Sequence, residues 1–151
     1  MVIAIGCDHA GLALKKEIIN WLKSEDYEVV DCGTFSEESV DYPDIAYEVA
    51  GQVLSRGCTG ILICGTGIGI SIAANKIDGI RAAVCENEFT ARMARQHNDA
   101  NILAVGARVV GTGLALEIVK TFLNTDFEAG RHARRIEKIH WLEKNAERGV
   151  N

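Results

Sequence analysis

The chain has 151 residues, 48% of them apolar, which fits a single domain spanning 1–151 with a full core and leaves little room for a second. A net charge of −5 argues against general nucleic-acid binding. The opening run Met1-Val2-Ile3-Ala4-Ile5 has no cationic start and is far too short for a signal peptide or membrane span, so a cytoplasmic location and no membrane partner are expected.

Short β-branched runs alternate with segments of helical period. A strand is predicted at Val2–Ile5, followed by a helix with Leu14, Ile18, Trp21 and Leu22 on one face and Lys15, Lys16 and Lys23 largely off it. A second strand follows at Glu28–Asp31. Asp41 and Asp44 flank Tyr42-Pro43 in a stretch read as a loop over the crevice, and the next helix carries Ile45, Val49, Val53 and Leu54. A third strand, Gly60–Cys64, runs into Gly65-Thr66-Gly67-Ile68-Gly69-Ile70-Ser71, where a helix begins. Ala82–Cys85 and Ile102–Val105 complete the strands, with a helical run Phe89–Gln96 between them. Leu114, Ile118, Phe122 and Leu123 mark a late helix. A more polar terminal helix from Arg131, with Ile136, Ile139 and Leu142, is expected to dock on a partner subunit. Five strands separated by helices imply an α/β fold, a three-layer α/β/α sandwich around a five-stranded parallel Rossmann-like sheet with a C-terminal helix. Ligands of such sheets bind outside the carboxyl ends of the strands.

The stretch Ile61 to Ser71 is the most informative. A thiol able to act as nucleophile or base, Cys64, stands beside three alternating glycines, whose backbone N–H groups can converge on one developing negative charge. The familiar nucleotide motifs do not fit. A dinucleotide fingerprint read from Gly65 requires glycine where Ile70 stands, no Gly-Lys-Ser or Gly-Lys-Thr occurs, and a phosphoacceptor domain would want Asp in place of Cys64. The five cysteines (Cys7, Cys32, Cys58, Cys64, Cys85) are odd in number and form no C-x-x-C pair, so reduced thiols are expected. The four histidines are scattered without a metal-ligand spacing, which argues against metal-assisted catalysis. His9 and His97 are expected together at the ligand edge, where imidazoles supply acid and base groups near pH 7, with Asp8 to orient a histidine or a sugar hydroxyl. Charge is uneven: from Gly130 onward Arg131, Arg134, Arg135, Lys138, Lys144 and Arg148 outweigh Glu137, Glu143 and Glu147, which suits a small anionic ligand. Arg131 and Arg135, four apart, share one helix face and can grip a phosphate, with Arg108 able to join them.

The motifs Gly6-Cys7-Asp8-His9-Ala10-Gly11, Asp41-Tyr42-Pro43-Asp44, Ile63 to Gly69, Ser71 to Lys76, Arg95-Gln96-His97-Asn98 and Gly130-Arg131-His132 closely resemble type B ribose-5-phosphate isomerase, in family order and over nearly the whole chain. The resemblance implies interconversion of ribose 5-phosphate and ribulose 5-phosphate through a cis-enediolate, without metal or organic cofactor. The partner it implies is a second copy, in a homodimer or a dimer of dimers with shared active sites. It also implies roles. Cys64 would move the proton between C1 and C2, Thr66 would assist transfer between the oxygens, and the backbone of Gly65, Gly67 and Gly69 would hold the enediolate oxygen, with Ser71 also binding substrate. His97 and Asp8 would help open the furanose ring. Arg131, Arg135, His9 and Arg108 would bind the phosphate, and Tyr42 and Asn98 would line the sugar site, with His97, Asn98 and Arg108 arriving from the neighbouring subunit. Two other readings are an isomerase of a six-carbon sugar phosphate (allose or galactose 6-phosphate) and a non-catalytic phosphosugar-binding module. The second would keep the arginines and glycines but has no need of Cys64.

Overall fold

A computed structural model describes residues 1–145; Glu147 and Arg148 of the basic tail lie outside them. Five strands, β1 (Val2–Cys7), β2 (Glu28–Asp31), β3 (Thr59–Cys64), β4 (Ala82–Val84) and β5 (Ile102–Gly106), form one parallel sheet in the order β2-β1-β3-β5-β4. The chain leaves β1 toward β2 and then crosses back over β1 to β3. The carboxyl ends of β1 and β3 therefore diverge into the two halves of the sheet, the place where a parallel sheet opens a crevice.

Side-chain alternation assigns the two faces. Ile3, Ile5, Ile61, Ile63, Leu103 and Val105 point to a layer made by α1 (Leu12–Ser24), α4 (Glu88–Asn98) and α5 (Thr112–Leu123). Ala4, Leu62, Cys64, Ile102 and Ala104 point to α2 (Tyr42–Arg56) and α3 (Ile68–Ala74). These residues of β1, β3 and β5 are fully or almost fully buried, each large one contributing about 1.5–3 kcal/mol of hydrophobic stabilisation. A last helix, α6 (Arg131–Asn145), packs against α4. No described helix is long and apolar enough to cross a membrane.

The helical faces depart from the sequence expectation at specific residues. Lys15 is buried, 2% exposed, because its Nζ donates to Asp31 Oδ1 at 2.6 Å and to the Thr34 carbonyl at 2.7 Å. A lysine enters an interior only with such partners, and Asp31 at the end of β2 supplies one. Leu54 and Leu114, counted with the apolar faces, are exposed, as are Ile139 and Leu142 of α6. The stretch around Tyr42-Pro43 is no loop: Asp41 is the cap residue of α2, Pro43 sits in its first turn and Asp44 places a carboxylate at its N-terminus.

Candidate active site

At the carboxyl end of β1, the Asp8 N–H donates to the Ile63 carbonyl at 3.0 Å, holding the strand end abreast of β3. Asp8 Oδ1 accepts the N–H groups of Ala10 (2.9 Å) and Gly11 (3.2 Å), which fixes the 3-10 turn His9–Gly11 that follows. His9 Nδ1 accepts the Val40 N–H at 3.4 Å, tying the approach to α2 to the same edge.

The glycine loop after β3 is shaped by close backbone contact with β5. Gly67 has φ +79°, and a Cβ there would lie 3.1 Å from the Val105 carbonyl carbon and 3.2 Å from the Gly106 nitrogen. A Cβ on Gly106 would in turn meet Thr66 backbone at 2.7 Å, so both positions need the absent side chain. This fold-back brings the Gly67 N–H to 3.1 Å from Cys64 Sγ, which accepts it. Cys64 is 5% exposed. The thiols of Cys32, Cys58 and Cys85 instead donate to backbone carbonyls. Burial pushes Cys7, Cys32 and Cys85 up to about 11 and raises Cys58 as well, which leaves these thiols as packing groups. Cys64 differs in position and bonding: its sulfur is an acceptor at the point where the sheet opens.

Thr66 is exposed beside it and accepts the Ile68 N–H on Oγ1 at 3.3 Å. The first turn of α3 leaves the N–H groups of Gly69 and Ile70 without intrahelical partners. Tyr42 lies over that turn, since a Cβ on Gly69 would be 2.8 Å from its Cζ and 3.0 Å from its Oη. Ser71 is buried and gives its hydroxyl proton to the Ile68 carbonyl at 2.8 Å, bracing the same turn. Arg108 also belongs to this edge within its own chain. Its backbone N–H donates to the Gly65 carbonyl at 3.0 Å, and one guanidinium nitrogen lies 3.5 Å from where a Cβ on Gly65 would stand. The resemblance implied that Arg108 arrives from a neighbouring subunit; within one chain it already lies beside Gly65. β5 pairs directly with β3, so the turn after it falls beside the turn after β3.

His97 and Asn98 lie elsewhere. Helix α4 starts beyond the carboxyl end of β4 and runs back, so they sit at the amino end of β5, whose five residues at ~3.3 Å each put them roughly 15 Å from the Cys64 loop. The expectation that His9 and His97 share one edge of one chain fails for that reason. Arg131 and Arg135, meant to act with His9 on one phosphate, are also on the His97 side. The His132 ring stacks on His97 with centroids 4.3 Å apart and planes 8° apart. The backbone of Glu128 anchors there through its N–H to the Gln96 carbonyl at 3.1 Å. Arg131 and Arg135 are exposed one turn apart on α6, and neither forms an ion pair among the described residues. Burial lowers the pKa of His132, helped by His97, Arg131 and Arg135, while Glu128, 3.9 Å away, opposes them. Neither Glu128 nor the His97–His132 stack was foreseen: Glu128 and His132 are four apart, but no sequence spacing links them to His97.

Two hollows of about 380 and 620 Å³ run along α6, the first lined by Arg81, Asn98, Ile139 and Leu142, the second by Arg134, Lys138 and Trp141. Cys64 lines neither of these two hollows.

Comparison with known proteins agrees with this fold. The chain is 52% identical over 143 residues to ribose-5-phosphate isomerase B of Escherichia coli, covering 94% of this chain and 96% of that protein. A solved ribose-5-phosphate isomerase B of Clostridium thermocellum superposes with a TM-score of 0.95 at 60% identity, covering 97% of this chain and 99% of that one. The enzyme of Mycoplasma genitalium, solved with bound ribulose 5-phosphate, superposes at 0.91 with 46% identity over 95% of this chain and 96% of that one. The family model described as Ribose/Galactose Isomerase matches residues 3–139, and the chain belongs to that family.

Proposed function

We infer that this chain is an aldose–ketose isomerase that interconverts D-ribose 5-phosphate and D-ribulose 5-phosphate. The observation that carries the chemistry is the Cys64 sulfur held by the Gly67 N–H at 3.1 Å on the loop where the sheet opens. In the aldose-to-ketose direction the Cys64 thiolate takes the C2 proton of the open-chain sugar, and the electron pair of that C–H bond flows toward O1 to give a cis-enediolate. Backbone N–H groups of the loop, with Gly65, Gly67 and Gly69 leaving room for the sugar, hold the negative oxygen. Thr66 Oγ1 passes the proton between O2 and O1, and the Cys64 thiol returns its proton to C1 as O2 becomes the carbonyl. A positioned base contributes about 10²–10⁴-fold and an oxyanion donor about 10²–10³-fold, together enough for a useful isomerase. No step in this sequence calls for a metal or an organic cofactor.

The site is proposed to be shared between two copies of the chain. Asp8, His9, Tyr42, the glycine loop and Arg108 form one half at the carboxyl edge. His97, Asn98, Arg131 and Arg135 form the other at the amino edge, too far away to act on the same five-carbon sugar from the same chain. A second copy that presents its amino edge to the Cys64 loop brings His97 to the ring oxygen and the two arginines to the phosphate. That arrangement also covers the exposed Ile139, Trp141 and Leu142 of α6.

A coupled assay of the purified protein on ribose 5-phosphate and on allose 6-phosphate, each with and without chelator, tests the reading. Turnover of the pentose phosphate, unchanged by chelator, is expected. Turnover of the hexose phosphate alone would move the substrate to six carbons, and phosphosugar binding without turnover would leave only the binding-module reading.

A further inference from the structure

The amino-edge cluster joins His97 to two groups, Glu128 and His132, that the proposed isomerisation does not use. His97, Glu128 and His132 each offer one ligand atom, and these atoms all lie within 4.8 Å of one another. The geometry points to a binding site for a borderline divalent cation of the zinc type, formed by two imidazoles and one carboxylate.

Three observations favour it. A tetrahedral zinc site with bonds of about 2.0–2.1 Å sets its ligands roughly 3.4 Å apart, so the ligand atoms must close by about 1.5 Å and one ring must turn out of the stack. The carboxylate is the freest of the three: the Glu128 side chain is 51% exposed and stands 3.9 Å from His132 Nε2. The two rings already meet from separate helices, α4 and α6, in a near-parallel stack, and one ring turns about its Cβ–Cγ bond to aim both nitrogen lone pairs at one ion. Two His and one Glu leave a fourth position open for water.

The surroundings define which cation fits. Arg131 and Arg135 flank His132 on α6, and their charge repels any ion held by charge alone. Hard cations such as magnesium and calcium, which depend on several oxygen ligands, are therefore excluded, whereas ions that bond strongly to imidazole are accepted. The consequence for activity rests on the role assigned to His97 above. A cation bound there holds the His97 ring nitrogen and withdraws it from ring opening, so zinc inhibits.

The test is calorimetric titration of the full chain, freed of metal by dialysis, with zinc chloride and separately with magnesium chloride in a buffer without phosphate. The wild-type chain, Glu128→Gln and His132→Asn are compared, with circular dichroism confirming that each variant is folded. One zinc per chain is expected, with affinity at least tenfold weaker in each variant and no heat from magnesium. Zinc should slow the wild-type isomerase, while Glu128→Gln keeps its basal rate and loses the inhibition. Absence of zinc binding, or binding that survives both substitutions because a thiol takes the metal, overturns the site. Zinc that binds through the triad yet leaves turnover unchanged upholds the site and removes His97 from ring opening.

Discussion

The two ends of β5 carry two kinds of construction. At the carboxyl end, the Cys64 loop is made mostly of backbone: a Cβ on Gly67 or Gly106 would crowd the facing backbone, and the sulfur accepts a backbone N–H, that of Gly67. At the amino end, side chains carried by α4, α6 and the segment before α6 meet, with His97 stacked on His132 and Arg131 and Arg135 exposed. A rigid backbone cradle suits a reacting carbon that must be held to a few tenths of an ångström. A surface of cations and imidazoles suits a remote phosphate and a ring oxygen, where charge matters more than register. The comparison teaches that one chain carries the glycine cradle and the exposed cations at opposite ends, and the proposed reaction needs a second copy to join them.

The sharpest way to break that division is Cys64→Ala. Loss of the base should lower kcat by about 10²–10⁴-fold while phosphosugar still binds, as read by a coupled assay alongside calorimetry with ribose 5-phosphate. Retention of most activity would remove Cys64 from proton transfer. The next largest effect is a recovery. Cys64→Ala and His97→Asn should each be nearly inactive, but refolding the two together at equal amounts should restore roughly a quarter of wild-type activity, since half the dimers are mixed and each mixed dimer has one intact site. No recovery would mean that both residues serve the same chain's site.

The carboxyl-edge half was legible because its parts are contiguous. A strand period ends at Cys64, glycines follow at alternate positions, and a helix period begins, so each feature is local to 11 residues from Ile61 to Ser71. β2 falls at Glu28–Asp31 as its β-branched pair suggests, and the other strands differ by one or two residues at an end. The amino-edge half was harder to read. Its residues sit at the far end of a helix whose reversal must be followed in space, and the Glu128–His132 pairing depends on the Glu128 N–H reaching the Gln96 carbonyl. Lys15 escaped notice for a related reason: a lysine's sequence context says nothing of the Asp31 carboxylate waiting at the end of another strand.

Arg135→Ala probes the grip without touching the base. Loss of one charge-assisted phosphate contact, worth about 1.5–3 kcal/mol, should raise KM by roughly 10–100-fold and change kcat less, as steady-state kinetics will read. An unchanged KM would take the phosphate away from the amino edge. Gly67→Ala acts at the other end. Its φ of +79° and the 3.1 Å approach to Val105 should cost about 1–3 kcal/mol in urea unfolding and displace the Cys64 loop. Equal stability with full activity would show that the cradle tolerates more movement than the close contacts allow.

The smallest expected effect separates the two edges by pH. His132 has its pKa lowered below the ordinary 6.5 by burial first and by His97, Arg131 and Arg135 second. The unfolded chain therefore takes up a proton at higher pH than the folded one. Wherever the unfolded state binds more protons, stability rises with pH, so this residue's part is fully present above about pH 6.5 and declines as pH falls below it. Urea midpoints at pH 7.5 and 5.5 should show a smaller drop for His132→Asn than for the wild type. Glu128→Gln should show a larger one, because Glu128 is the neighbour that favours the imidazolium. If all three proteins lose the same stability between the two pH values, proton uptake at the stacked pair contributes nothing, and acid sensitivity must be sought among the carboxylates instead.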